Sequence, residues 1–269
     1  MYRLGMIGCG NMGGAMLQKI LKSGIIRPEE VIIADKSEQI RLKWKNEWNI
    51  ATTDDNCAAA KADIVFLAVK PQFLDAVAME IKDHIAEDAL ILSIVMSYSL
   101  ERLSRIFHKP FGAIVRIMPN TPAMVGEGVL AACKNAYVSA KQWTYVFDML
   151  SCMGLAREVE ERLMNAVTGV SGCGPAFAFL FIEAMADAGV RGGLSRKTAL
   201  EFAAQTLLGS AKMLLETGLH PGELKDMVTS PAGATIEGVA ALEKNGFRYA
   251  AIEAVTAAIQ RAKDFDTEE

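Results

Sequence analysis

The feature that most constrains this chain is a change of hydrophobic period near residue 160. Before it, short runs that are apolar almost without a break alternate with segments whose apolar residues recur at helical spacing. Tyr2 to Ile7, Val31 to Ala34, Ile64 to Val69, Leu90 to Ile94 and Ala113 to Met118 have strand length. Unbroken apolar character is what parallel strands need when both faces of a sheet are covered. Asn11 to Ser23, Glu38 to Trp48, Gln72 to His84 and Leu100 to Phe107 lie between them as helices. The order is therefore βαβα, and the fold class is α/β with a mostly parallel sheet. Val129 to Cys133 and Leu155 to Val159, with a helix from Ser139 to Met153 between them, end the sheet.

Beyond Glu160 the strands disappear. Pro175 opens a helix through Ala188 that ends near Gly189, and Ser195 caps another that ends at Gly218, following the preference for proline first, hydroxyl cap and glycine last. Pro221, Pro231 and Gly246 divide the rest into short helices. Two domains are expected, 1–160 and 161–269. The helix faces of the second are rich in Ala, Gly and Met, and this suggests helix packing between subunits.

Composition narrows the function by exclusion. Hydrophobic residues make up 51% of the 269 and charged residues 22%, enough to bury a core and too apolar for a disordered chain. A net charge of -4 without a Lys/Arg tract argues against nucleic acid or an anionic membrane as partner. Apolar stretches such as Ala89 to Met96 and Ala176 to Ile182 fall short of the roughly 20 residues that cross a bilayer. The short Leu4 to Ile7 run after Arg3 is not a secretion signal, so a cytoplasmic location is expected. Five scattered cysteines without a CxxC pair read as reduced thiols, with neither a disulfide framework nor a zinc site. Three histidines, no HExxH and no GxSxG leave metal and hydrolytic chemistry without their usual residues. Cofactor chemistry remains.

Gly8-Cys9-Gly10-Asn11-Met12-Gly13 matches GxGxxG between an expected strand and an expected helix, the context that gives the motif its meaning. Gly8 permits the tight turn, Gly10 lets a pyrophosphate approach the backbone, and Gly13 allows close helix–strand packing. The first domain is therefore Rossmann-type and binds a dinucleotide. Asp35 ends the second strand where an acidic group accepts hydrogen bonds from the adenosine ribose, favouring NADH. Lys36 and Ser37 follow at once and suit the 2′-phosphate of NADPH, so both cofactors stay open. Ala68-Val69-Lys70-Pro71 ends another strand at the carboxyl edge of the sheet, where open α/β sheets place their ligands. Asn120 and Thr121, between Pro119 and Pro122, can orient a nicotinamide, while Arg116 reads as a structural ion-pair partner. In the second domain, Ser171 to Phe177 and Thr229 to Thr235 resemble loops that hold an anion on backbone amides at a helix start, or equally capping and turn chemistry.

Taken in order, Gly8 to Gly13, Val69-Lys70-Pro71, Met118 to Pro122, Ser171 to Phe177, and the run from Pro221 through Ser230 and Thr235 to Leu242-Glu243 resemble the pyrroline-5-carboxylate reductase family along essentially the whole chain. The resemblance implies reduction of the C=N bond of L-1-pyrroline-5-carboxylate to L-proline with hydride from NADPH, NADH being the second choice. It implies a homodimer through the C-terminal helices, assembled in larger rings such as a decamer. Ser230, Gly233, Ala234 and Thr235 would hold the substrate carboxylate, Glu161 would approach the ring, and Thr235 would donate or relay a proton. Val95 and Met96 would lie beside the nicotinamide.

Two places depart from the family. Val95-Met96-Ser97 stands for a small Ala-Ala-Gly stretch, and Pro231-Ala232-Gly233 for Pro-Gly-Gly. The second matters only if residue 232 needs a positive φ. These departures keep two other readings open, a reductase of another imine or keto acid and a cofactor-binding homologue without turnover.

Overall fold

In the computed structural model, which describes residues 2–108 and 112–267, the chain divides into two compact units. Met1–Gly172 with Ile259–Glu269 form the first and Cys173–Ala258 the second. The expected boundary at 160 falls twelve residues before this division, and Met1 and 268–269 lie outside the described residues.

The first unit is built on one sheet whose described strands are β1 Leu4–Ile7, β2 Val31–Ala34, β3 Ala51–Thr53, β4 Ile64–Leu67, β5 Leu90–Ser93, β6 Ile114–Met118, β7 Gly128–Lys134 and β8 Gly154–Glu158. They lie in the order β3-β2-β1-β4-β5-β6-β7-β8. All neighbouring pairs are parallel except β6 with β7. Alternation explains the unbroken apolar runs. Leu4, Met6, Val31, Ile33, Ile64 and Phe66 enter one core, while Ile7, Ile32, Ala34, Val65 and Leu67 enter the other. A strand with a core on each face leaves little room for polar residues, and β1, β2 and β4 carry none.

The helices of this unit are α1 Asn11–Lys22, α2 Glu38–Trp48, α3 Asn56–Ala59, α4 Pro71–Ile81, α5 Leu100–Ile106, α6 Ala140–Ser151 and α7 Met164–Val167. Local chemistry sets their ends. Ser37, Asp55, Ser99 and Ser139 accept backbone amides as N-caps, and Asn49 stops α2 in the left-handed region at φ 54. The sequence does not announce β3 or α3. β3 has three residues, all half-exposed, and α3 is a single turn, so neither carries a period.

The second unit holds α8 Gly174–Arg191, α9 Arg196–Thr217, α10 Pro221–Met227, α11 Ala234–Lys244 and the start of α12 Phe247–Thr267. α8 ends near Gly189 as expected, its last residue being Arg191, and Gly189 itself serves packing. A Cβ there would stand 3.1 Å from the Ala199 Cβ of α9. One sequence expectation is corrected: α12 is not short, since Gly246 starts a helix of 21 residues.

Ala186, Ala199 and Ala203 form the small core of this unit. Bulk lies outside: Phe179, Leu180, Phe202 and Leu215 are each at least 60% exposed. Among the described residues, 161–191 is long and apolar enough to cross a membrane, with 11% of its apolar window buried. The sequence reading missed this because it counted uninterrupted runs, whereas here small and hydroxyl residues are interspersed.

β1 passes close to α3. A Cβ on Gly5 would fall 1.9 Å from the Ala59 carbonyl oxygen and 3.2 Å from the Ala62 Cβ. Gly5→Ala is expected to destabilise the first unit by about 1–3 kcal/mol, the cost of overpacking a core, read as an earlier unfolding transition in denaturant.

Candidate active site

At the carboxyl edge of the sheet β1 ends at Ile7 and Gly8 turns the chain at φ 81. A Cβ on Gly13 would meet the Ala68 Cβ at 2.8 Å and the Gly8 carbonyl oxygen at 2.9 Å, whereas one on Gly10 would meet nothing within 4 Å. Gly13 therefore lets α1 close against the strands, and Gly10 leaves bare backbone facing open space. The amides that open α1 have no side-chain cap, so they remain available to an anion. Asp35 fixes the turn, one carboxylate oxygen accepting Cys9 N–H at 2.8 Å and the other Ser37 N–H at 2.8 Å.

Two adjoining cavities of about 490 and 510 Å³ share Gly10, Ala68, Val69 and Lys70. Gly8, Asp35 and Lys36 line the first, with Asn56, Phe73 and Glu80. Asn11, Met12, Gly13, Pro71, Val95 and Met96 line the second, with Met118. The order reversal between β1 and β4 is the switch point at which such sheets bind ligands. A two-lobed crevice over bare amides has the size and shape to take a dinucleotide.

Several polar groups here are engaged by the protein itself. The Lys36 ammonium donates to the Asp54 carbonyl at 2.9 Å, and the Ser37 hydroxyl caps α2. Asn120, expected to orient a nicotinamide, is 7% exposed. Its Nδ2 donates to the Ser171 carbonyl at 3.0 Å and its Oδ1 accepts Val129 N–H at 2.9 Å, so the amide ties chain segments together. Glu161, expected near the substrate ring, accepts Leu100 N–H at 2.6 Å on Oε1, and the same oxygen lies 3.4 Å from Arg116 Nη1. Arg116 is thus the ion-pair partner that the sequence suggests.

Sequence reasoning missed Asn56, Phe73 and Glu80. Asn56 is buried on α3 and donates to Glu80 Oε2 at 2.8 Å. No motif marks it, because a three-residue strand brings it to the crevice. Asp55, Cys57 and Glu80 place potential ligand atoms within 4.8 Å of one another. Their hydrogen bonds account for the cluster: Asp55 accepts Cys57 N–H, and Cys57 Sγ donates to the Glu80 carbonyl.

In the second unit Pro231 and Ala232 make a turn closed by Gly233 N–H donating to the Ser230 carbonyl at 3.1 Å. Gly233 precedes α11, whose opening amides lack a side-chain cap, and Ala234 and Thr235 form its exposed first turn. The Ser230 Oγ occupies the space a Cβ on Gly233 would need, which puts a hydroxyl over a helix N-terminus. The Ser171 to Phe177 segment is different. It is a π-turn over Thr168–Gly172 that runs into α8, and the Thr168 and Ser171 hydroxyls donate to carbonyls four residues back. Both hydroxyls are thus engaged within the helical turn, while α8 itself opens at Cys173 without a side-chain cap.

Both departures from the family fall on left-handed backbone. Ala232 has φ 53 and Ser97 φ 64, where an L-residue is strained by roughly 1–2 kcal/mol and glycine is not. Ala232→Gly and Ser97→Gly are each expected to stabilise the chain by about 1 kcal/mol, seen as a higher Tm. An unchanged Tm would contradict this backbone.

Burial, reinforced by the Asp35 carboxylate, pushes the Cys9 thiol from 9.0 up to about 12. Burial and the Glu161 carboxylate push Cys133 equally, to about 12. Unfolded thiols ionise near 9.0 and the folded ones near 12, so their contribution to stability is complete below pH 9 and is lost as pH rises towards 12. Denaturation measured across this window should show a shallower alkaline loss for Cys9→Ala than for the parent.

Residues 161–265 match the family model of pyrroline-5-carboxylate reductase dimerisation, and residues 3–97 that of NADP oxidoreductase, coenzyme F420-dependent. The pyrroline-5-carboxylate reductase of Escherichia coli K12 is 42% identical over 262 residues, and that of Synechocystis sp. 44% identical over 263, each covering 97% of both chains. Among solved structures, Plasmodium falciparum pyrroline carboxylate reductase with NADP bound gives a TM-score of 0.89 at 34% identity. The Coxiella burnetii pyrroline-5-carboxylate reductase gives 0.90 at 32%, and both cover 98% of either chain. With relatives of this identity along nearly its whole length, the chain belongs to the pyrroline-5-carboxylate reductase family.

Proposed function

We propose that this chain reduces the C=N bond of L-1-pyrroline-5-carboxylate to L-proline, with NADPH as preferred cofactor. The observation that carries the reading is the two-lobed crevice over the uncapped start of α1, in a chain whose full-length relatives bear that name. When bound, NADPH supplies the hydride to the C=N carbon, and one proton ends on the ring nitrogen. The residues of the chain bind and orient. Gly10, Asn11, Met12 and Gly13 offer amides to the pyrophosphate, with Gly8 setting their turn. Ala68, Val69, Lys70 and Pro71 form the opposite wall, and Lys70 brings positive charge to it. Val95 and Met96 pack against the nicotinamide.

Asp35, whose oxygens each hold a backbone amide, shapes the adenosine lobe, and its remaining lone pairs can accept from a ribose hydroxyl, as NADH would use. Lys36 leaves the Asp54 carbonyl, a neutral partner, for the 2′-phosphate of NADPH, since an ion pair is the stronger bond. Lys36→Ala should therefore lower kcat/KM for NADPH about tenfold or more while sparing NADH.

The substrate carboxylate is received at the start of α11 by the Ser230 hydroxyl and the Gly233, Ala234 and Thr235 amides, an anion site that needs no arginine. The Thr235 hydroxyl is too weak an acid to supply the proton unaided, so it orients or relays one. Thr235→Val is expected to lower kcat about 10²-fold, within the range of general acid–base effects, with folding intact. Loss of reduced-nicotinamide absorbance on mixing protein, NADPH and pyrroline-5-carboxylate tests the reading directly. Turnover confined to other imines, or cofactor binding without turnover, would overturn it.

The exposed Phe179, Leu180, Phe202 and Leu215 are covered, in this reading, by the helices of a second copy and not by lipid. The match of residues 161–265 to a dimerisation model supports this. The solution mass should be at least twice the 29.1 kDa of one chain, and ten times that value if five dimers close a ring.

A further inference from the structure

We propose that Glu161 is a positioning residue for the nicotinamide end of the crevice, holding the 94–99 segment that carries the Val95 and Met96 wall. This rests on reading the crevice as the dinucleotide site. The segment leaves β5 and contains the left-handed Ser97, so it needs anchors to keep one course. It has them at its start, middle and end. Val95 N–H donates to Ser93 Oγ at 3.2 Å. The Ser97 carbonyl accepts Arg102 Nη1 at 3.4 Å, and the Arg102 guanidinium lies 3.7 Å over the Tyr98 ring. The Tyr98 hydroxyl donates to the Pro71 carbonyl at 3.3 Å, joining this wall to the Lys70-Pro71 wall opposite.

At the end, Leu100 N–H, the first amide of α5, donates to Glu161 Oε1 at 2.6 Å, the shortest of these anchors and the one that comes from 61 residues away. Glu161 reaches the segment from beyond β8. Its charge is balanced by Arg116, which is 8% exposed on β6 and lies 3.4 Å from the same oxygen. An oxygen held by two donors is committed to this loop. The role that follows is placement of the apolar wall, and the charge pair keeps the acceptor in place.

A structural residue would affect both halves of the cofactor, whereas a positioning residue of this kind affects only one. Adenosine 2′,5′-bisphosphate reaches the adenosine lobe alone, and NADPH reaches both. Because a lone buried cation can prevent folding, the variants are built on Arg116→Met. Adding Glu161→Leu removes the acceptor, and adding Glu161→Gln keeps one. Titration calorimetry should show the Leu double variant binding NADPH about tenfold more weakly than Arg116→Met alone, the scale of one lost hydrogen bond to a charged or strongly polar acceptor. Adenosine 2′,5′-bisphosphate should bind all variants alike, and the Gln double variant should recover NADPH affinity. Equal weakening of both ligands, or no difference between Leu and Gln, would overturn the assignment to Glu161. Failure of the parent protein to bind either ligand would instead remove the reading of the crevice on which it rests.

Discussion

The first unit depends on one steric permission, the approach of α1 to the carboxyl ends of β1 and β4. Gly13 has no Cβ to strike Ala68 or the Gly8 carbonyl, and Gly8 takes a φ that other residues avoid. With α1 that close, its free amides face the crevice where the strand order reverses. Asp35 then fixes the turn from the next strand through Cys9 and Ser37. A carboxylate that a ribose would also use therefore has a structural role first, and its presence alone does not decide between NADH and NADPH.

The second unit poses the opposite problem. Its fully buried core is Ala186, Ala199 and Ala203 with Ile182 and Met185 partly buried against them, and larger residues such as Phe179, Leu180, Phe202 and Leu215 are exposed. So small a core buries too little surface to hold a helical domain by itself, since stabilisation scales with the apolar area removed from water. The bulky face needs a cover, and the same segment that passes for a membrane span by length and hydropathy belongs to a dimerisation family model. Folding of this unit and association with its twin are in that reading one process.

Much of the fold was legible in the sequence because burial on both faces leaves an unmistakable mark. The strands from Val31 and Ile64 begin and end within two residues of their expected bounds. β3 and α3 escaped because three half-exposed residues and one helical turn have no period, and with them went Asn56, whereas Phe73 and Glu80 lie on the expected helix α4 and no motif marks them. Gly189 has a second role that the sequence does not show. A glycine that ends a helix and a glycine that lets two helices touch are the same letter, and only the position of Ala199 distinguishes them. Asn120 and Glu161 were legible as polar residues in a motif-rich region, but their partners, Ser171, Val129, Leu100 and Arg116, come from distant parts of the chain.

By itself the sequence determined the α/β order, the glycine turn, the helical second half, the family and hence the chemistry on offer, because each depends on local spacing or on motifs in fixed order. Tertiary structure alone decided which polar groups remain available to a ligand and which are used by the fold. It also decided that Ser97 and Ala232 sit where glycine would be unstrained. A hydrogen-bond partner and a backbone angle are both set by atoms that meet only after the chain has folded. A linear pattern can nominate Asp35, Asn120 or Glu161, but it cannot say what they touch.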